Sequence, residues 1–433
     1  MKSFLFFVVS LLSIAHSYSQ ISQQQFISSD IPNFWHAYDA IQATTDSAEQ
    51  IQLLQNLYLK PGSEGLAALQ LVRDYTAEQY LQYIHDAPGL WNSIRHNTLH
   101  VSDHYEAITH DLEKLRDIYP ALQPAPIYFL IGAFRTGGTV HEGKVLIGCE
   151  LSLADKNTNY SELPAWRQPF YRDNTPVNDL ALLCTHEYVH TQQRELVHNL
   201  LSKCLYEGIA EFVSCKATGK PSTLPAIKFG KENQAKVVEQ FVKDMYVTTY
   251  DYNWMWGENR NDFKVRDLGY YIGYEIAESY VNKASDTRKA IADLIELDYT
   301  NEKEVERIVD QSGLLPKAVR TLYEEYETHR PVVVSVTPLQ KRKKIKPGPT
   351  MLTIHFSEPL NGFNSGLDFG PLGQEYFPQL HPVREWSTDR KSITLEADLK
   401  PGRRYQFLVD NTFRKENQVR LKPYLVEFRT AKK

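Results

Sequence analysis

Residues 185–193 read THEYVHTQQ and set His186, Glu187 and His190 in the order His-Glu-x-x-His. Residues four apart on a helix share a face, so the two imidazoles can address one metal ion while Glu187 lies beside that face. The pattern suits hydrolysis. A metal-activated water gives its proton to the carboxylate, which acts as general base and later passes the proton to a leaving amine. HExxH alone is short, and its plain alternative is a pair of helix histidines with ordinary hydrogen bonds. A catalytic zinc takes three protein ligands and keeps a fourth position open. A third donor is available in YEGIAEF, residues 206–212, where Glu207 stands seventeen residues past His190. A turn followed by an antiparallel helix can return Glu207 to the metal, so one Zn2+ is the expected cofactor.

Over residues 127–297 these motifs resemble the gluzincin superfamily of zinc metallopeptidases, which includes thermolysin-like peptidases, zinc aminopeptidases and predicted bacterial zinc proteases. EGIA, residues 207–210, has the E-G-x-A form in which that superfamily carries its third ligand. The resemblance implies His186, His190 and Glu207 as zinc ligands, Glu187 as general base and a peptide or protein as substrate. Glu211, on the same helix face as Glu207, resembles an acidic position that orients a ligand histidine; a solvent-exposed surface glutamate is the alternative. Gluzincins also place a Tyr or His on a later helix to stabilise the oxyanion. In LGYYIGYEIAESY, Tyr270 with Gly273 resembles the Y-x-x-G arrangement of the aminopeptidase branch, which makes Tyr270 the candidate. Tyr271 and Tyr274 compete for that role, and a core aromatic stripe is the alternative for all three. An edge strand that pairs with extended substrate is implied as well, with residues 145–151 as the expected strand. The exopeptidase motif G-x-M-E-N is absent, which leaves endopeptidase as the default. The metzincin pattern fails because Gln193 and Leu196 stand where it needs Gly and His, and His198 is out of register.

The elements that position these residues follow from spacing. Between residues 26 and 120, apolar residues recur at three and four, as in Ile51, Leu54, Leu57 and in Tyr105, Ile108, Leu112, Leu115, so this region is helical. Residues 127–131 and 145–151 are strand-like and are expected to pair as a hairpin. Thr175 and Pro176 start a helix that runs to the Gln192 region. A second helix spans residues 200–217 and stops at Gly219 with Pro221 beyond; helices over 270–281 and 287–297 follow. Beyond Arg330 short strands alternate with turns, over 332–336, 352–356, 392–395, 404–409 and 425–428. That pattern suggests a β-sandwich. PVVVSVTP, IHFSEPL and VEFRT in this region resemble bacterial Ig-like domains. The expected fold class is therefore α+β: a mainly helical gluzincin-like catalytic domain with a small edge-stranded sheet, then an all-β Ig-like sandwich.

The expected organisation is a signal peptide at 1–19, a helical region at 20–124, a zinc peptidase domain at 125–329 and an Ig-like domain at 330–433. Lys2, the apolar stretch 4–14 and the small residues Ser17 and Ser19 indicate a secretory signal, hence export to the periplasm or the extracellular space. No later segment is apolar enough to span a membrane, so no integral membrane segment is expected after signal removal. The 433 residues, 42% hydrophobic and 23% charged, describe a globular chain too long for one core. A net charge of -5 gives no cationic field for nucleic acid, and the basic run at 341–346 reads as a solvated loop. Cys149, Cys184, Cys204 and Cys215 leave disulfides and buried thiols both open, although Cys204 and Cys215 on one helix stand too far apart to bridge. The rival reading is a non-catalytic zinc-containing surface or periplasmic binding protein, in which the Ig-like domain engages a cell-surface or protein partner. Loss of Glu187 would be the simplest route to such a module, and Glu187 is present.

Overall fold

Local end signals set the N-terminal helices α1 (Asp30–Gln42), α2 (Ser47–Leu54), α3 (Glu64–Arg73), α4 (Ala77–Asp86), α5 (Pro88–Leu99) and α6 (Tyr105–Ile118). Asp46 caps α2 through the N–H groups of Ala48 and Glu49, Ser63 caps α3, and Thr76 with Gln79 forms a reciprocal capping box on α4. Helix α6 buries Ile108, Leu112 and Leu115, the stripe expected from their spacing. Aromatic packing joins the helices: the Phe34 ring lies 5.1–5.2 Å from those of Trp35, Tyr58 and Trp91, all fully buried.

This computed structural model describes residues 21–257, 263–339 and 344–432. The expected signal segment and residues 341–343 of the basic run lie outside them. The chain forms two compact units. One contains Met1–Glu195, Tyr206–Leu224 and Val281–Asp298; the other contains Leu196–Leu205, Pro225–Tyr280 and Tyr299–Lys433. Among the described residues no helix is long and apolar enough to cross a membrane.

The first unit holds a sheet of β1 (Phe26–Ile27), β2 (Ile127–Leu130), β3 (Gly138–His141) and β4 (Lys144–Gly148) in the order β1-β2-β4-β3. The hairpin expected between the two apolar runs does not form. β2 and β4 run parallel, with Ile127 opposite Val145 and Leu130 opposite Gly148. The hairpin partner of β4 is β3, a strand the sequence reading omits, joined through Glu142 and Gly143. Both turn residues have positive φ, 46° and 72°, the backbone twist that a two-residue hairpin requires. β4 is therefore internal, and the expected edge strand over 145–151 is corrected: the edge is β3, and Cys149–Ser152 turns into the short helix α7.

The loop between β2 and β3 is anchored from the N-terminal helices. The hydroxyls of Tyr58 and Tyr80 both donate to the Ile131 carbonyl, at 2.6 and 3.0 Å, and Tyr75 accepts from the Arg135 N–H at 3.1 Å. Glu150, fully buried on α7, accepts from the N–H groups of Gly132 and Phe134 at 2.8 and 3.0 Å. A Cβ on Gly132 would stand 2.7 Å from a Glu150 oxygen, so only glycine allows this approach. Burial pushes Glu150 up to about 7, against the two N–H bonds and Arg167, which favour its ionised form.

In the second unit, helices including Leu268–Lys283, Glu302–Ser312 and Val319–Thr328 precede strands β5 (Val333–Thr337), β6 (Gly348–Phe356), β7 (Leu367–Phe369), β8 (Gln379–Trp386), β9 (Ser392–Leu399), β10 (Arg404–Val409) and β11 (Tyr424–Arg429). They form two antiparallel sheets, β5-β6-β9-β8 and β11-β10-β7, and Ile354, Leu395, Phe407 and Val426 from both meet in one core. The architecture is thus α+β. At the start of this region the Arg330 guanidinium donates to Glu327 at 2.6 Å and to the carbonyls of Arg420 and Leu421 at 3.1 and 2.7 Å.

Glu150→Gln leaves one of the two loop N–H groups without an acceptor and should cost about 1–3 kcal/mol of stability in denaturant unfolding. The folded-state pKa of Glu150 lies above the ordinary carboxyl value of 4.5, so its proton stabilises the fold at low pH and that contribution is lost as pH rises through about 7. The wild-type advantage over Glu150→Gln should be largest below pH 4.5 and shrink towards pH 8. A constant difference across that range would reject a proton-linked Glu150.

Candidate metal centre

After helix α8 (Gln168–Asp173), the expected helix from Pro176 begins as a single 3-10 turn, Pro176–Asp179, and becomes α-helical as α9 (Leu180–His190). Thr175 makes no capping hydrogen bond. Every residue of α9 except Leu183 is buried, so each polar group on it must find a partner inside the protein. Thr185 donates to the Ala181 carbonyl, and the Tyr188 hydroxyl accepts from Ala125 N–H at 2.8 Å. The next helix, α10 (Leu200–Thr218), stops at Gly219 with φ 72°, the glycine stop expected there.

His186 and His190 on α9 and Glu207 on α10 converge. The two Nε2 atoms are 3.1 Å apart; Glu207 Oε2 lies 3.2 Å from that of His190 and 3.6 Å from that of His186. A tetrahedral zinc with N and O ligands at about 2.0–2.2 Å spaces its ligand atoms about 3.3–3.6 Å apart, close to this triangle. The outward-facing nitrogens decide the chemistry. His186 Nδ1 donates to Glu211 Oε2 at 3.0 Å, and His190 Nδ1 donates to Gln193 Oε1 at 2.6 Å. Gln193 Nε2 is itself committed to the Tyr206 carbonyl at 2.9 Å, which fixes its oxygen as the acceptor. With both Nδ1 atoms protonated, neutral imidazoles present two Nε2 lone pairs and a carboxylate oxygen to one point. Three acceptors without a proton among them repel, and a cation at that point relieves the repulsion, so the donor set fits zinc.

A proton can supply the same relief as a metal cation. Burial opposes charge on His186, but the hydrogen bonds to Glu207 and Glu211 outweigh it and hold the imidazole up to about 10. Burial would raise Glu207 and Glu211, yet the imidazoles hold both below the ordinary carboxyl range. The centre therefore retains positive charge, and a proton on His186 and a metal dication compete for the same place. Glu211 is buried; besides His186 it accepts from Ser222 Oγ, so the alternative of a surface glutamate does not hold.

Glu187 is buried next to the ligands without joining their triangle. Its carboxyl lies over the start of edge strand β3, where a Cβ on Gly138 would come within 2.6 Å of Oε1. Burial raises its pKa, and the charges of His190 and His186 oppose that. Tyr270 is on the helix Leu268–Lys283 of the second unit. Its neighbour Tyr271 is fully buried, with its ring where a Gly230 side chain would stand, and Tyr274 is buried beneath the Lys231 ammonium. His198 is exposed, and all four cysteines are buried. Gln193, Ser222 and Gly138 were not identified as site residues from sequence, since nothing in their type distinguishes them from loop residues.

An HExxH helix joined to a second helix that returns a glutamate defines a candidate mononuclear zinc centre. Residues 169–301 match the family described as predicted Zn-dependent protease (DUF2268). That span contains His186, Glu187, His190, Glu207 and Glu211. No curated protein matches. The solved "Structure of surface layer protein SbsC, domains 1-6" is similar with a TM-score of 0.19 and 12% identity over 66% of this chain and 39% of that one, too distant to bear on fold or function.

His186→Ala or His190→Ala should weaken zinc binding by orders of magnitude, whereas Gln193→Ala or Glu211→Gln, which only release an imidazole, should weaken it about 10–100-fold. Competition with a chromophoric chelator reads both effects. Full zinc retention in the two histidine variants would mean that other residues are the ligands.

Proposed function

We propose that the protein is an exported zinc metallopeptidase of gluzincin type that hydrolyses peptide bonds, with endopeptidase action as the default. One observation carries the reading: two imidazole lone pairs and the Glu207 carboxylate face one point, with a separate buried carboxylate, Glu187, beside them. His186, His190 and Glu207 hold the ion, which when bound supplies Lewis acidity towards a water and a carbonyl oxygen. Glu187 takes the proton of the attacking water and returns it to the leaving amine. Its raised pKa makes it a better base than an exposed glutamate and lets it keep the proton until the leaving amine takes it. Glu211 and Gln193 hold the two imidazoles in the ligating tautomer. Strand β3, at the end of its sheet, offers backbone groups to an extended peptide beside Glu187. Tyr270 is the residue proposed to donate to the oxyanion. The two-sheet region is read as an Ig-like domain on its strand motifs, and export on the N-terminal segment.

A peptide-library digest by the zinc-loaded protein should yield cleavage that a chelator abolishes. Glu187→Gln should lower turnover at least about a hundredfold with zinc content unchanged. Gly138→Ala, which must displace the Glu187 carboxyl, should lower it about 10–100-fold, again with zinc retained. Tyr270→Phe should lower it about 10–1000-fold if its phenol reaches the oxyanion. Cleavage by Glu187→Gln at the wild-type rate would reject the mechanism and favour the binding-module reading.

A further inference from the structure

We propose that Arg73 recognises a carboxylate on the substrate; the inference rests on the peptidase reading and narrows its substrate class to peptides carrying an acidic side chain or a free C-terminus near the scissile bond. Arg73 is the last residue of α3, a helix that packs on β2, β3 and β4. Its guanidinium makes a single hydrogen bond, from Nη2 to Thr136 Oγ1 at 3.1 Å, and its buried Nε has no acceptor. Among the described residues no carboxylate pairs with it. Thr136 in turn donates to the carbonyl of Gly138, the first residue of edge strand β3, and Gly138 is the residue over which the Glu187 carboxyl lies. The cation is thus connected to the general base through two residues, and its charge is felt at Glu187.

The surroundings leave that charge uncompensated. Arg135 is exposed and donates to the Arg73 carbonyl, adding a second cation with no carboxylate partner. Arg167 donates to the Phe134 carbonyl and lies over the Tyr83 and Phe134 rings, and its charge is the one offset by buried Glu150. Among the described residues Arg73 and Arg135 have no such counterion, in a chain whose net charge is -5. A partly exposed guanidinium with no carboxylate partner among the described residues matches the planar pair of oxygens of a carboxylate, which it binds bidentately. A peptide laid along β3 would bring such a group within reach of it. A lysine at this position would keep the charge and lose the fork.

The test uses the zinc-loaded full chain and matched peptides: one with an acidic residue, its Gln or Asn counterpart, and versions of each with free and amidated C-termini. In wild type, neutralising the recognised carboxylate should lower kcat/KM about 10–100-fold, and whichever arm shows the loss identifies the source. Arg73→Gln should remove that preference, read as the ratio of kcat/KM on acidic and neutral peptides because the lost charge at Glu187 affects both alike, and Arg73→Lys should restore part of it. Equal rates on acidic and neutral peptides in wild type, or equal loss on both in Arg73→Gln, would overturn the proposal. Calorimetric binding of the same peptides to Glu187→Gln protein separates the two readings. Arg73-dependent preference for acidic peptides without wild-type cleavage would sink the peptidase and keep the recognition; cleavage without preference would do the reverse.

Discussion

Two imidazole Nε2 atoms 3.1 Å apart, each ring bound through Nδ1 on its far side, face each other and a carboxylate oxygen only with a positive charge among them, a proton or a metal ion. That constraint organises the first unit. Helix α9 must be buried nearly all round so that its polar groups find partners only where the centre needs them. The turn after it must return Gln193 to the ring of His190, and α10 must deliver Glu207 and Glu211 together from one face. Spacing of four on α10 does this, since residues four apart stand one above the other. The Tyr206 ring stacks on His190 at 4.4 Å.

The N-terminal helices bear on the centre indirectly. Tyr58, Tyr75 and Tyr80 hold the β2–β3 loop by its backbone, and Glu150 fastens the same loop from beneath. The loop delivers Gly138 against Glu187, so the N-terminal helices determine how closely the edge strand can approach the proposed base. A scaffold that fixes backbone rather than side chains suits an edge strand, whose use lies in its N–H and C=O groups. It also explains why these helices are rich in buried aromatic residues: a large rigid ring places a hydroxyl accurately at little entropic cost.

The legible parts of the sequence were those where residue type alone carries geometry. HExxH with a downstream Glu on a helix is such a case, because helical periodicity does the positioning. Helix α10 and its Gly219 stop were readable for the same reason, as were the alternating strands β9 and β10. The sheet of the first unit was not. β3 is four residues long, opens with glycine and turns through Glu142-Gly143, so it gave no alternation long enough to register, and without it the two apolar runs looked like a hairpin. Their parallel pairing depends on β4 lying between β2 and β3, which only the folded chain reveals. The partners of the ligands were equally hidden. Gln193 and Ser222 act through where their turns place them, and a single polar residue in a turn has no pattern.

The buried glutamates of the centre are one residue type in three roles, and environment separates them. Glu207 and Glu211 face imidazoles at hydrogen-bond distance, so both stay ionised in spite of burial: one offers an oxygen to the metal position and the other holds a ring. At Glu187 burial prevails over the charges of the same imidazoles and raises its pKa. A carboxyl held low cannot carry a proton between steps, and one held high cannot serve as a permanent anionic ligand. The proposed division between ligand, orienting group and base thus follows the balance of burial against imidazole charge at each carboxylate, before any substrate arrives.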